Sequence, residues 1–157
     1  ICLTTDHYPY SLDEFNGLDE LAGHKVDTVF ERYKNAWLLW SGSMKEPVSV
    51  KTYCSSLDVL PTLLNMFGFE YDSRTIIGTD VFGGKDPFVV FADRSWISQN
   101  GMYNANSGEY TAFKNSAKKD DIDTLNNKCT NMFTVSRMIL DTNVYAEIYG
   151  DTHIKGK

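Results

Sequence analysis

A chain of 157 residues, 42% hydrophobic and 13% aromatic, has the apolar content of one domain with a real core rather than of a disordered segment. A formal charge of −6, with no basic cluster interleaved with aromatics, argues against a nucleic-acid surface. No apolar run reaches the length of a membrane span and no basic-then-apolar leader is legible; Cys2, Cys54 and Cys129 are odd in number and outside any CxxC pattern, so buried free thiols are expected.

In chain order, Ile1-Cys2-Leu3 with Thr4-Thr5 reads as a short strand buried on both faces, as in a parallel sheet covered by helices. It ends at Asp6-His7, where Tyr8-Pro9-Tyr10 turns the chain, because Pro9 fixes its own φ and biases Tyr8 away from helix. Open sheets of this kind bind ligands beyond the carboxyl ends of their strands, where a bend lets a carboxylate and an imidazole converge on one ion. A strand that opens the chain with nothing to cover it predicts that further polypeptide precedes it. Ser11 to Glu14 and Thr28 to Glu31 each have capping-box spacing, followed by Leu12, Phe15, Leu18 and Leu21 in the first case and by the apolar run 36–40 in the second. His24 lies between Gly23 and Lys25 with no neighbour in sequence to orient its second nitrogen, which reads as a solvated loop histidine rather than a ligand.

Residues 48–53 suggest a short strand leading into SSLDVLPTLLNMFGFEYD, the clearest helix. Leu60, Leu63, Leu64 and Phe67 fall on one face, expected to be buried against the strands at 1–3 and 36–39; Asp58 serves as N-cap, Pro61 sits in the first turn and Gly68 supplies the left-handed exit. From Phe88 the pattern changes to short strands at 88–91, 95–97, 101–103 and 109–113 around the turn 104–108, an antiparallel meander. After a solvated stretch at 114–121, residues 122, 125, 129, 132, 133, 136, 139 and 140 keep helical spacing, so a long amphipathic helix is expected on that sheet, with a fraying tail from Tyr145.

The order TTDHYPY, SSLDVLPTLLNMFGFEYD, GTDVF, VVFADRSWI and GMYNANSGEYTAF resembles the C-terminal part of the lipoteichoic acid synthase group, within the sulfatase and alkaline phosphatase-like superfamily. The resemblance implies an α/β fold: residues 1–87 as the C-terminal part of the alkaline phosphatase-like sheet-and-helix core, and residues 88–157 as a small antiparallel sheet packed by a long C-terminal helix. It implies a metal-dependent phosphoglycerol transferase on the extracytoplasmic face of a bacterial membrane, anchored by upstream transmembrane helices. Such enzymes take glycerol phosphate from the lipid phosphatidylglycerol through a covalent threonine intermediate. Asp6 and His7 match the family's Asp-His metal pair; the nucleophile and remaining ligands belong to the family's upstream half, so this chain alone is expected to hold a metal weakly and to be inactive. Thr4 and Thr5 are not the nucleophile, and Thr5 stands where the wider pattern has a glycine.

The chemistry agrees with that role. A transferring phosphoryl centre needs its developing charge stabilised and its nucleophile acidified, which a divalent ion provides. A carboxylate with an imidazole suits Mn²⁺ above all, with Mg²⁺ and Zn²⁺ also compatible. Alternatives within the superfamily are a sulfatase, a phosphoethanolamine transferase or a phosphodiesterase, which a cysteine or threonine at the nucleophile position would separate. From another class, the aromatic stretch 88–113 could serve as the surface of a non-catalytic binding module, although aromatic residues are commoner in small-sheet cores.

Overall fold

The structure, a computed structural model, describes residues 1–13, 16–26, 29–114, 116 and 119–150. The fold is mixed α/β, with two antiparallel sheets and a long C-terminal helix. The chain divides into two compact units, residues 1–50 and 51–157.

In the first unit β1 (Cys2–Leu3) pairs antiparallel with β2 (Leu38–Leu39), Cys2 opposite Leu39 and Leu3 opposite Leu38. The Ile1 amino group donates to the Trp40 carbonyl at 2.7 Å and Trp40 N–H returns a bond to Ile1 O at 2.8 Å. The parallel, doubly covered strand expected here is therefore corrected: the ribbon is antiparallel, and Ile1 and Leu3 remain 73% and 58% exposed. Runs of consecutive apolar residues encode burial on both faces, but two strands of two residues each have no layer to bury against. Cys2 is likewise exposed rather than a buried thiol, and accepts a hydrogen bond from Trp37 Nε1 at 3.3 Å. Three short helices complete the unit, α1 (Tyr10–Asp13), α2 (Gly17–Ala22) and α3 (Val29–Arg32). Ser11 lies inside α1 instead of capping it, while Glu14, Phe15 and Thr28 of the expected capping patterns lie outside the described residues. Gly23 ends α2 at φ 72°, in the left-handed region that glycine enters without strain.

The second unit opens with an irregular stretch at 51–55, where the strand expected over 48–53 does not form. A 3₁₀ turn at Ser56–Asp58 then leads into α4 (Val59–Met66), closed by Gly68 at φ 70° with Phe69 N–H bonded to Leu64 O at 2.9 Å. The buried face of α4 differs from the periodicity: Leu60 and Phe67 are exposed, Leu63 and Leu64 are half-buried, and Pro61 and Thr62 are inside. Polar bonding explains the rotation. Asp58 does not cap α4 through its side chain; its buried carboxylate accepts from Ser55 N–H at 2.8 Å and from Thr79 N–H at 2.8 Å, while Thr62 Oγ1 donates to Asp58 O and accepts from Val81 N–H at 3.0 Å. The 78–82 loop thus lies on the face carrying Asp58 and Thr62. A Cβ at Gly78 would collide with the Leu57 carbonyl. The sequence stretches SSLDVLPT and GTDVF are therefore two halves of one hydrogen-bonded staple.

The second sheet is the expected meander, β3 (Phe88–Val90), β4 (Trp96–Ser98), β5 (Gly101–Asn104) and β6 (Glu109–Ala112), each strand antiparallel to the next. Trp96 is fully buried at its centre, stacked on Tyr103 with centroids 5.5 Å apart and donating from Nε1 to Asn126 Oδ1 at 2.8 Å. The aromatic residues at 96 and 103 thus pack on one another instead of presenting a free surface. α5 (Ile122–Asp141) is capped by Asp121, whose carboxylate accepts from Thr124 N–H at 3.1 Å, and packs on this sheet through Cys129 and the ring of Phe133. Leu140 departs from the expected stripe and is exposed. In the stretch expected to be solvated, Asp120 instead gathers hydrogen bonds from Ser98 Oγ, Asn100 Nδ2 and Tyr110 OH, closing the β4–β5 turn. The tail folds too: in α6 (Val144–Tyr149), Tyr145 OH donates to Thr75 O at 3.2 Å; residues 151–157 lie outside the described set. The subdomain expected over 88–157 falls within the second unit.

Candidate functional site

Past Leu3 the chain leaves the ribbon and, after Thr4 and Thr5, reaches Asp6 and His7 before Pro9 O accepts from Leu12 N–H at 3.0 Å and α1 begins. Thr4 Oγ1 only reaches the neighbouring Thr5 carbonyl, at 3.5 Å. Both site side chains open to solvent, His7 at 50% and Asp6 at 89% exposure. His7 Nδ1 lies 2.8 Å from the Tyr8 carbonyl oxygen. A carbonyl only accepts, so this contact places the proton of the neutral imidazole on Nδ1 and leaves the lone pair on Nε2. Nε2 in turn stands 3.6 Å from Asp6 Oδ1. That is too long for a hydrogen bond, yet within the ~3–4 Å that separates two donors each about 2.1 Å from a common ion.

The donor set fits a divalent ion in part. A hard carboxylate oxygen and a tautomerically fixed imidazole nitrogen suit Mn²⁺, Mg²⁺ or Zn²⁺, and the backbone carbonyl behind Nδ1 is the outer-shell partner that metal-ligating histidines characteristically have. Among the described residues no group of three or more His, Cys, Asp and Glu side chains comes together, and the pair facing each other here is Asp6 and His7. The sequence singles out Asp6 and His7 but not their neighbours: the Tyr10 ring stacks on the His7 imidazole at 4.7 Å and 20°, and Tyr8 meets both Tyr10 and Tyr33 edge-on. The i, i+3 spacing of His7 and Tyr10 on the turn into α1 was the available signal.

His24 is a solvent-exposed loop residue as expected, but it is oriented at both ring nitrogens, which was not: Nδ1 lies 3.0 Å from Ala22 O and Nε2 2.6 Å from Glu31 Oε1. The hydrogen bond and charge of Glu31 raise its pKa above the ordinary imidazole value. Glu31 and Ala22 also border a cavity of about 360 Å³ walled by Pro9, Leu18, Leu21 and Val26. In the second unit the Cys129 thiol is buried and its pKa pushed up by that burial, which keeps it in the unreactive protonated form.

Against this geometry, the chain is 26% identical over 105 residues to the lipoteichoic acid synthases of Staphylococcus aureus strains USA300 and NCTC 8325 / PS 47, a match covering 66% of this chain and 16% of each of those proteins. The chain is thus distantly similar to lipoteichoic acid synthase and spans about a sixth of the length of the curated relatives it matches. No family model and no solved structure matches it. Among the described residues no helix is long and apolar enough to cross a membrane.

Proposed function

We propose that this chain is part of a metal-dependent phosphoglycerol transferase of the bacterial cell envelope, drawing glycerol phosphate from phosphatidylglycerol, with Asp6 and His7 as two of its metal ligands. The observation that carries the reading is the facing pair of donors at the end of β1, Nε2 of a tautomer-fixed His7 beside Asp6 Oδ1. The distant similarity to lipoteichoic acid synthase supports the reaction class. A bound divalent ion, Mn²⁺ for preference, would supply charge stabilisation at phosphorus and acidify the attacking hydroxyl. The chain's own contribution is to present the carboxylate and imidazole from a bend outside regular structure. The threonine nucleophile, the other ligands and the membrane anchor would come from the upstream polypeptide, on the extracytoplasmic side. The sulfatase, phosphoethanolamine transferase and phosphodiesterase readings share the Asp-His pair and are separated by the nucleophile's identity.

The test is turnover of a phosphatidylglycerol analogue by the intact protein, with Mn²⁺ titrated calorimetrically into both the intact protein and this chain. Asp6→Ala and His7→Ala should each abolish transfer by the intact protein while leaving its fold in place, and this chain should bind Mn²⁺ weakly and turn nothing over. Undiminished transfer by either variant, or tight stoichiometric binding by this chain, would overturn the assignment.

A further inference from the structure

We propose that Tyr10 is a positioning residue for His7, clamping the imidazole in the orientation that presents Nε2 beside Asp6. The inference rests on the metal reading above and adds to it a residue that touches no ion. Tyr10 covers one face of the His7 ring at 4.7 Å and 20°, nearly parallel. Tyr10 is itself held by Tyr8, whose ring meets it at 4.5 Å and 68°, and Tyr8 abuts Tyr33 at 5.2 Å and 86°, with the Arg32 guanidinium 5.8 Å from the Tyr8 ring centre. The array ties the 6–10 bend to the end of α3, so the ring orientation does not depend on two adjacent loop residues alone.

The clamp addresses a specific weakness. An imidazole half open to solvent at a strand end would sample several χ1 and χ2 states, and only those that keep Nδ1 on the Tyr8 carbonyl leave the lone pair toward Asp6. Stacking against a fixed ring removes the other states before an ion arrives, so less ordering accompanies binding. The ring face supplies this effect and the phenol hydroxyl does not, which makes phenylalanine the conservative replacement.

The experiment uses NMR of the 157-residue chain at a pH where His7 is neutral, reading the ¹⁵N shifts of the imidazole and the broadening of its ring protons by added Mn²⁺, with His24 as internal control. Wild type and Tyr10→Phe should show the Nδ1–H tautomer and matching Mn²⁺ midpoints. Tyr10→Ala should give a mixed tautomer and a midpoint roughly 2- to 10-fold weaker, the scale of one ordered side chain, while backbone shifts away from 6–12 stay in place. Tyr10→Ala with unchanged tautomer and midpoint would overturn the proposal. His7→Ala separates the two readings: if it leaves Mn²⁺ affinity near Asp6 unchanged, the metal assignment fails, whereas a lost site beside an indifferent Tyr10→Ala sinks only the clamp.

Discussion

Asp6 and His7 face each other across 3.6 Å while neither is buried, so changing Asp6 removes no packed ring and changing His7 removes its half-exposed stack on Tyr10. Alanine at Asp6 should alter the chain's unfolding free energy by no more than about 0.5 kcal/mol, the usual range for exposed sites, and alanine at His7 by about 1 kcal/mol at most, the scale of one exposed ring stack. A much larger loss in a urea melt would mean that the bend itself needs these side chains, and the loss-of-transfer test would then report folding. His24 behaves differently because Glu31 stabilises its protonated form. The folded chain therefore binds that proton more tightly than the unfolded one, and the pair's contribution is fully present below the ordinary imidazole value of 6.5 and disappears as pH rises through the raised folded value. Urea midpoints of the first unit should accordingly fall between mildly acidic and mildly alkaline pH. His24→Gln should flatten that dependence; a slope that survives the substitution would assign it elsewhere.

At the level of elements, the α4 staple and the Trp96 cluster divide the second unit's stability between polar and apolar contacts. Asp58→Ala leaves the Ser55 and Thr79 N–H groups without their acceptor, and should cost about 1–3 kcal/mol, read as a lowered denaturation midpoint. Trp96→Ala removes a fully buried indole and should cost about 3–5 kcal/mol. Leu60→Ala, by contrast, should be nearly silent, since Leu60 is exposed; a cost near that of Trp96→Ala would contradict the observed rotation of α4. These outcomes mark where the sequence was readable. The meander followed from short strand-like runs set off by turn residues, and α5 from 3.6-residue spacing that its burial follows except at Leu140. The register of α4 did not follow, since Asp58 and Thr62 are buried by partners twenty residues away, and hydropathy registers only the leucines. Around Asp6 and His7, the strand-end Asp-His and the i, i+3 spacing of Tyr10 are local signals, whereas the edge-on contact of Tyr8 with Tyr33 is a matter of three-dimensional placement.

At the scale of the whole molecule, the exposed apolar residues of the ribbon, Ile1, Leu3, Leu38 and Trp40, are neighbours across the paired strands. Contiguous apolar surface of this kind seeks cover. The chain by itself should enhance the fluorescence of an apolar dye and self-associate in sedimentation as concentration rises, and Leu3→Thr with Leu38→Thr should reduce both. A monodisperse, dye-silent wild type would show that the ribbon is covered in solution.

The meander carries one more implication, in time rather than in energy. β3 joins β4 through the Phe91–Arg94 turn, β4 joins β5 through Gln99 and Asn100, and β5 joins β6 around Gly108 at φ 71°; each strand pairs with its sequence neighbour. Every ladder therefore closes a loop of only a few residues, a step of microseconds, and α5 follows directly in sequence. The β1–β2 pair must instead bring Leu3 to Leu38 across 35 residues of chain. The sheet nearest the C-terminus is thus built to form first, and the β1–β2 ribbon that precedes Asp6 and His7 is built to close later.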